Sequence, residues 1–405
     1  MKILILDLTH GGDILAEEFR GRGDSVTCVD VYHNTSDDKR LHLMSIGVEV
    51  LDEVSEGWFD LVLSPAHCPD EFLNGMKYRE KKTFSGAVKM LAGEDVFRVE
   101  VTGVKGKTST CYLLAHILDY AGKKIFLHTS RGQGPYVNGV HRIEKIMSIA
   151  PPSLLRLPKD GYDINVAEVS LGGSGKANIS VITNLLEDYG IAKNTRRASG
   201  AKSEIFGDGV NIVRSDEVNI WSSISNYELR PFDEVTGIVG SPRIGEKVQI
   251  VFSYNGGIHK AVLDSSYLSV QYVPSIDTVL SVCSELRIKV DHVIGGLESF
   301  RGVPGRGEIS KDGDLTYIIE RNPGISHMSV RKTLESLKKM DGLNRALVIV
   351  NPVSKKVCDK MRCDLISEVT KEYGIETIFT DGVDNCVDIP PEKETIIKFV
   401  KEGFQ

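Results

Sequence analysis

The chain has 405 residues, of which 41% are hydrophobic and 26% charged, and its formal net charge is −7. That length supports two to four domains with cores of their own, and the mixed composition, free of low-complexity runs or a short repeat, excludes a disordered or fibrous protein. Lys and Arg are scattered rather than clustered, so no broad electrostatic footprint for nucleic acid exists and no nucleic-acid partner is expected.

The opening run MKILILDL is too short for a membrane span, and no signal-peptide cleavage pattern follows it. It predicts a first β-strand of a cytoplasmic protein without a membrane partner, monomeric or homodimeric. Seven cysteines (Cys28, Cys68, Cys111, Cys283, Cys358, Cys363 and Cys386) form no CxxC pair, which predicts reduced, mostly buried thiols rather than disulfides or a zinc ribbon.

The expected fold is α/β with three domains: a Rossmann-like N-terminal domain, a central P-loop domain with a mostly parallel sheet, and a Rossmann-like C-terminal domain. KILILDL, GGDILAEEFRGRG and SVTCVDV alternate strand, helix and strand, FDLVLS adds a strand, and residues 70 to 94 read as helix and linker, giving a substrate-binding domain over 1–94. The strand VFRVEV then opens a central domain over 95–300. A glycine-containing loop and a helix with Leu113, Leu114, Ile117 and Leu118 on one face come next, then the strands KIFLHTS, DINVAEVS and ISVITNLL. Beyond residue 210 shorter β-like runs (VNIV, EVTGIVG, KVQIVFSY, HKAVLD) and a helix over 275–288 predict a β-rich extension. SFRGVPGRGE near residue 300 reads as a joint. The last domain, 301–405, takes TYIIE, RALVIVN and ETIFT as strands, with helices around 326–340, 356–373 and 394–402.

The loop VTGVKGKTST, residues 101 to 110, carries the chemistry. In a phosphate-binding loop, backbone N–H groups and a helix N-terminus surround phosphate oxygens, a lysine adds mobile charge and a hydroxyl reaches magnesium. Lys107 and Thr108 stand where that requires them, although Val101 occupies the first glycine position of the usual spacing and the loop glycines are Gly103 and Gly106. A plain strand-to-helix turn with an exposed lysine is the alternative. No N-K-x-D motif for guanine is present, so ATP is the expected nucleotide, with Mg²⁺.

The shortened form T-G-x-x-G-K-T-S resembles the ATP-dependent Mur ligase family, which includes the folylpolyglutamate synthases. The resemblance implies nucleotide contacts from Thr102, Gly103, Lys105, Gly106, Lys107, Thr108, Ser109 and Asn184. It also implies metal binding by Thr108, Glu168 (in NVAEVS) and a carbamylated Lys202 (in GAKSEIF). It places Arg306, of Gly305-Arg306, on the nucleotide phosphates and Glu320, of IIERNPG, at the ribose, with Lys107, Lys202 and Arg306 catalytic. Two departures stand out. The family's D-H pair appears as Asp188-Tyr189, and a tyrosine is a poor metal ligand beside imidazole. The family's H-N-x-x-N segment is replaced by QYVPS at 271 to 275.

Ligases of this kind phosphorylate a carboxylate, and a nucleophile then attacks the acyl phosphate. No D-N-P-R segment for holding an amino acid occurs in the last domain. DLTHGG, VDVY and the short chain look like the archaeal branch of the family that makes coenzyme F-430. This likeness implies an anionic nickel tetrapyrrole polycarboxylate as substrate and closure of a carbocycle by one of its own carbons, with an amide-forming amino acid ligase as the alternative. Lys193, Arg196 and Arg197 in KNTRRASGAK could pair with peripheral carboxylates or remain a solvated basic loop. The turn THGG at 9 to 12 could hold an anion or be structural. His10, His33 and His67 show no metal-site spacing and read as loop or core histidines.

Overall fold

A computed structural model describes residues 1–53, 57–73, 75–93, 96–322, 324–352, 361–380 and 388–401. Chain contacts divide it into two compact units, Met1–Cys111 with Lys123–Asp233, and Tyr112–Gly122 with Glu234–Gln405.

The first unit opens with β1 (Lys2–Leu6), α1 (Gly12–Gly21), β2 (Ser25–Val29), α2 (Asp37–Ser45), β3 (Glu49–Leu51), β4 (Trp58–Ser64), β5 (Lys77–Thr83) and α3 (Phe84–Leu91). The five strands pair in the order β3-β2-β1-β4-β5, all parallel, as one half of a doubly wound fold. Helix α2 starts where the Ser36 side chain accepts from the Lys39 N–H, a standard serine cap. The helix-and-linker reading of 70 to 94 is corrected here, because KYREKKT is a strand. Its charges suit a sheet edge, where exposed Lys and Glu discourage further pairing.

The chain continues with β6 (Arg98–Thr102), α4 (Lys107–Tyr120, counted with the second unit from Tyr112 on), β7 (Ile125–Thr129), β8 (Gly132–Val137), β9 (Val140–His141), β10 (Ile164–Glu168) and β11 (Ile179–Ile182). A two-strand hairpin, β12 (Gly190–Ile191) and β13 (Arg196–Arg197), leads into α5 (Ala198–Lys202), β14 (Val210–Arg214), α6 (Val218–Ile224) and β15 (Leu229–Phe232). The sheet order is β15-β14-β11-β6-β10-β7-β8-β9, parallel from β15 to β7. Strand β6 lies in the middle with every residue buried, its Val99 and Val101 alternating with Arg98, Glu100 and Thr102, and the buried Arg98 and Glu100 pair with each other at 3.2 Å. One apolar cluster joins the two sheets of this unit: Leu8 and Leu15 from the first share it with Phe126, Ala167 and Val169 from the second.

The second unit contains a three-stranded antiparallel sheet, β16 (Thr236–Ile238), β17 (Val248–Tyr254) and β18 (Gly257–Leu263), with α7 (Val273–Glu285) and α8 (Val290–Ser299). It ends in β19 (Arg306–Asp312), β20 (Leu315–Arg321), α9 (His327–Lys339), β21 (Ala346–Asn351), α10 (Cys363–Glu372), β22 (Glu376–Phe379) and β23 (Thr395–Val400), ordered β19-β20-β23-β21-β22. The helix expected over 394–402 is therefore the central strand of this sheet. TIIKFV is rich in β-branched residues and pairs in parallel with β20 on one side and β21 on the other, which outweighs the helical look of its flanking charges. Part of the helix expected over 356–373 falls outside the described residues, as do Cys358 and Cys386. Cys28, Cys68, Cys111, Cys283 and Cys363 are free thiols, all but Cys363 buried. No described helix is long and apolar enough to cross a membrane.

Trp221 of α6 is fully buried against Ile205, Phe206 and Val213 and donates from Nε1 to Glu217 at 3.0 Å, while the other Glu217 oxygen accepts from the Leu185 N–H at 2.6 Å. Trp221→Ala opens a cavity and strips a buried carboxylate of a donor. It is expected to destabilise the first unit by about 3–5 kcal/mol, read as a lower urea midpoint at unchanged slope.

Candidate active site

The loop follows the middle strand and runs straight into α4, so the start of that helix lies at the carboxyl ends of the parallel strands. Gly103 has φ +141°, and a Cβ there would lie 2.0 Å from Thr183 Oγ1, so no other residue fits. Its backbone is clamped by the neighbouring strand end. Val104 N–H donates to Asn184 O at 3.1 Å and Lys105 N–H to Asn184 Oδ1 at 3.1 Å, while Asn184 Nδ2 and Thr183 Oγ1 donate to Lys105 O at 3.0 and 2.7 Å. Asn184 thus shapes the loop through its backbone. Thr102, fully buried, donates from its hydroxyl to Ser170 O at 3.2 Å. Gly106 adopts φ +84° at the last step before the helix, and Ser109 sits half-buried in the first helical turn.

Three oxygens gather where the helix begins. Thr108 Oγ1 donates to Glu168 Oε2 at 2.9 Å, the Ser130 N–H donates to the same carboxylate at 3.1 Å, and the Thr108 and Ser130 hydroxyls are 3.4 Å apart. Glu168 is buried at the end of β10, one strand from the loop. Hard, anionic oxygens at a helix N-terminus are the donor set that Mg²⁺ takes beside phosphate, so these residues fit the group. Ser130 belongs to this cluster without any motif signature in the sequence. Only its place at the end of a parallel strand could have pointed to it.

Lys202 is the least expected residue energetically. Its side chain is buried, and Nζ donates to Gly103 O at 2.9 Å and Ser170 O at 3.0 Å. Lys107 Nζ donates to the same Gly103 carbonyl at 3.1 Å. Burial first, and the Lys107 charge second, hold the Lys202 amine well below the usual lysine range. A neutral amine has two N–H groups for the two carbonyls and keeps one lone pair. The Tyr189 ring lies 6.0 Å from Nζ, and its phenol is pushed up by burial and then by Asp188, so it stays neutral. Asp188 accepts from Ser199 N–H and Oγ at 2.8 and 2.9 Å, anchoring the start of the helix that carries Lys202.

The cations of the basic loop are engaged. Lys193 pairs with Glu71, Arg196 with Asp70 and the Ala66 carbonyl, and Arg197 donates to Asp188 O at 3.0 Å. In the second unit, Arg306 and Glu320 are register partners across the antiparallel β19–β20 pair, with a bulge after Arg306. Glu320 accepts from Thr333 at 3.5 Å. The structure therefore brings Thr102, Gly103, Lys105, Gly106, Lys107, Thr108, Ser109, Glu168, Asn184 and Lys202 around one loop, and sets Arg306 beside Glu320 on another sheet.

His10, His33 and His67 all lie in loops, as expected. His33 is exposed in a turn, while Asp7, His10 and His67 place side-chain donor atoms within 4.8 Å of one another although 57 residues separate the two histidines. Parallel strand ends do this: Asp7 follows β1, Tyr32 comes after β2, and His67 follows β4.

Residues 101–218 match the Mur ligase middle domain. The chain is 28% identical to the coenzyme F(430) synthetase of Methanosarcina acetivorans, over 92% of this chain and 88% of the relative. It is 25% identical to that of Methanocaldococcus jannaschii, over 94% and 91%. Among solved structures it is similar to the MurF ligase of Thermotoga maritima in complex with ADP, with a TM-score of 0.56 and 14% identity over 93% and 91% of the two chains. It is also similar to the UDP-N-acetylmuramate-alanine ligase of the same organism, with a TM-score of 0.53 and 16% identity over 100% and 96%.

The state of Lys202 has a measurable sign. Its folded pKa lies below the unfolded value of 10.5, so in the interval between them the unfolded chain binds more protons, and stability rises with pH towards the ordinary lysine range. In bicarbonate-free buffer, the unfolding free energy of the wild type relative to Lys202→Met is expected to increase from about pH 7 to pH 10. A flat difference would show that the amine keeps its proton.

Proposed function

We propose, from the premise that this chain is built on a Mur ligase middle domain and is similar over nine-tenths of its length to two coenzyme F(430) synthetases, that it is an ATP-dependent synthetase activating a carboxylate as an acyl phosphate. The observation that carries the reading is the meeting of Thr108, Glu168, Lys107 and Lys202 around the Gly103 loop. The start of α4 and Lys107 are suited to balance negative charge as a phosphoryl group moves. Mg²⁺, when bound, would be held by Thr108 and Glu168 and would neutralise the phosphate oxygens.

Lys202 contributes in its own way. A neutral, buried amine is the form that adds carbon dioxide, and a carbamate would convert a donor into an anionic oxygen ligand beside the loop. Arg306 and Glu320 are proposed for the nucleotide's phosphates and ribose.

The substrate we infer is the nickel seco-acid precursor of coenzyme F-430, an anionic tetrapyrrole polycarboxylate. ATP phosphorylates its propionate, a ring carbon of the same molecule attacks the acyl phosphate, and a cyclic ketone forms with release of ADP and phosphate. Both reactants lie in one molecule, so no second substrate has to be held, and the last domain has no D-N-P-R segment for an amino acid. An amide-forming ligase of the Mur or folylpolyglutamate synthase type is the second reading, favoured by the fold alone.

Purified protein with ATP, Mg²⁺ and the nickel seco-acid should give one product lighter by one water, without any added amino acid. Phosphate release that appears only with glutamate or another amino acid, and no such product, would replace ring closure with amide formation. Lys107→Ala should lower phosphate release by about 10²-fold or more with the fold intact, and Glu168→Gln should raise the Mg²⁺ requirement or abolish turnover.

A further inference from the structure

The carboxyl edge of the first sheet holds a second set of reactive groups that phosphate activation does not use. Asp7 is fully buried directly after β1, with φ +78°. One of its oxygens accepts from the Thr9 N–H at 2.6 Å and the other from His10 Nδ1. The turn is closely packed, since a Cβ on Gly12 would lie 1.9 Å from Asp7 O and one on Gly11 would lie 2.8 Å from Pro152 Cβ. An ionised carboxylate can only accept, so the imidazole proton sits on Nδ1 and Nε2 carries the lone pair. With one Asp7 oxygen committed to the Thr9 N–H and the other to His10 Nδ1, the set is arranged as a carboxylate-oriented imidazole rather than as a metal cage.

The surroundings are neutral. The His67 ring meets His10 edge-on at 4.5 Å, and its pKa is lowered to about 4, first by burial and then by His10. Tyr32 packs edge-on to His10 at 6.2 Å and stacks on His67 at 6.3 Å, with burial pushing its phenol up. The Cys68 thiol is raised to about 11, by burial and then by Asp7. Among these groups the Asp7 carboxyl and the His10 ring are the pair joined by a hydrogen bond. His10, whose side chain is 41% exposed, and His67 line a cleft together with Ser85, Ser148, Ser170 and Leu171. Ser170 is the residue whose carbonyl holds the Lys202 amine.

The geometry points to His10, oriented by Asp7, as the general base that takes the proton from the attacking carbon of the substrate. This rests on the ring-closing reading above. As the carbon–carbon bond forms at the acyl phosphate carbonyl, the C–H proton passes to His10 Nε2. The C–O bonding pair leaves with phosphate, and the imidazolium then returns its proton to solvent or to the released phosphate. A carbon acid needs such a base, whereas phosphorylation of a carboxylate does not. His10 therefore belongs to the second half-reaction only. Asp7 is a positioning residue.

The test separates the halves in the full-length protein with ATP, Mg²⁺ and the nickel seco-acid. Acyl phosphate is trapped with hydroxylamine as the hydroxamate, and ring closure is followed by the loss of one water. In His10→Ala and His10→Gln, hydroxamate formation should persist while closure falls by about 10²–10⁴-fold. Free imidazole should restore closure in His10→Ala in proportion to its concentration, which a structural role would not produce. Asp7→Asn should also lose closure and keep trapping, without rescue by imidazole. Full closure in both His10 variants, or parallel loss of trapping and closure without imidazole rescue, would overturn the base assignment and leave the activation reading intact. A wild type that gives neither hydroxamate nor closure would overturn the activation reading, and this inference with it.

Discussion

The first unit is organised around one carbonyl. Gly103 O accepts from Lys202 at 2.9 Å and from Lys107 at 3.1 Å, and it can face both because glycine alone tolerates the backbone there. Two ammonium groups sharing one acceptor in a buried place would repel strongly, and a buried charge without a counter-ion is costly. Burial and the nearby Lys107 therefore both disfavour the charged form of the deeper lysine. The same Lys202 amine reaches Ser170 O, so the loop after β6 and the loop after β10 are tied together by a buried group whose charge the site disfavours.

Around that tie, acidic groups are divided by what they hold. Glu168 accepts from the Thr108 hydroxyl at the helix start and from the Ser130 N–H, and among the described residues no arginine or lysine hydrogen-bonds to it, as suits the cation-binding role proposed above. Asp188, Asp70 and Glu71 are used structurally, holding Ser199, Arg196 and Lys193. The basic loop therefore braces the turn that presents His67 through contacts to Ala66, Asp70 and Glu71, and its cations are already matched.

What could be read from sequence was what is local. The loop, its helix and the strands β1, β2, β4, β6, β7, β10, β11 and β14 show in the sequence because a glycine-bracketed turn between a buried strand and a helix, and a run of β-branched residues, are contiguous patterns. The order Glu168, Asn184, Lys202 was legible through resemblance, and each of these residues falls beside the loop. Two kinds of feature were not legible. KYREKKT and TIIKFV take strand form from their partners, one as a charged edge and one as a buried centre, and isolated segments carry no sign of those partners. The Asp7, His10 and His67 group joins loops after non-adjacent elements, so no spacing rule reveals it. The available hint was positional, since the carboxyl ends of parallel strands are where such folds bind ligands.

Ser170 connects the two chemistries. Its carbonyl fixes Lys202, and the residue itself lines the cleft that His10 and His67 share. The apolar cluster beneath joins Leu8, next to Asp7, to Ala167 and Val169, on either side of Glu168, so both strand ends are set by one packed core. Displacement of either would be felt at the other, because a close-packed interior transmits small shifts rather than absorbing them. A reaction that makes an acyl phosphate and consumes it with a carbon of the same molecule needs such fixed spacing, since its gain comes from holding the two centres together. On the proposal above, an amide ligase, which must also admit and release a separate amine, would have less use for a base held in the close-packed turn after the first strand. The packing of the Asp7 to Gly12 turn is in keeping with the internal nucleophile proposed there.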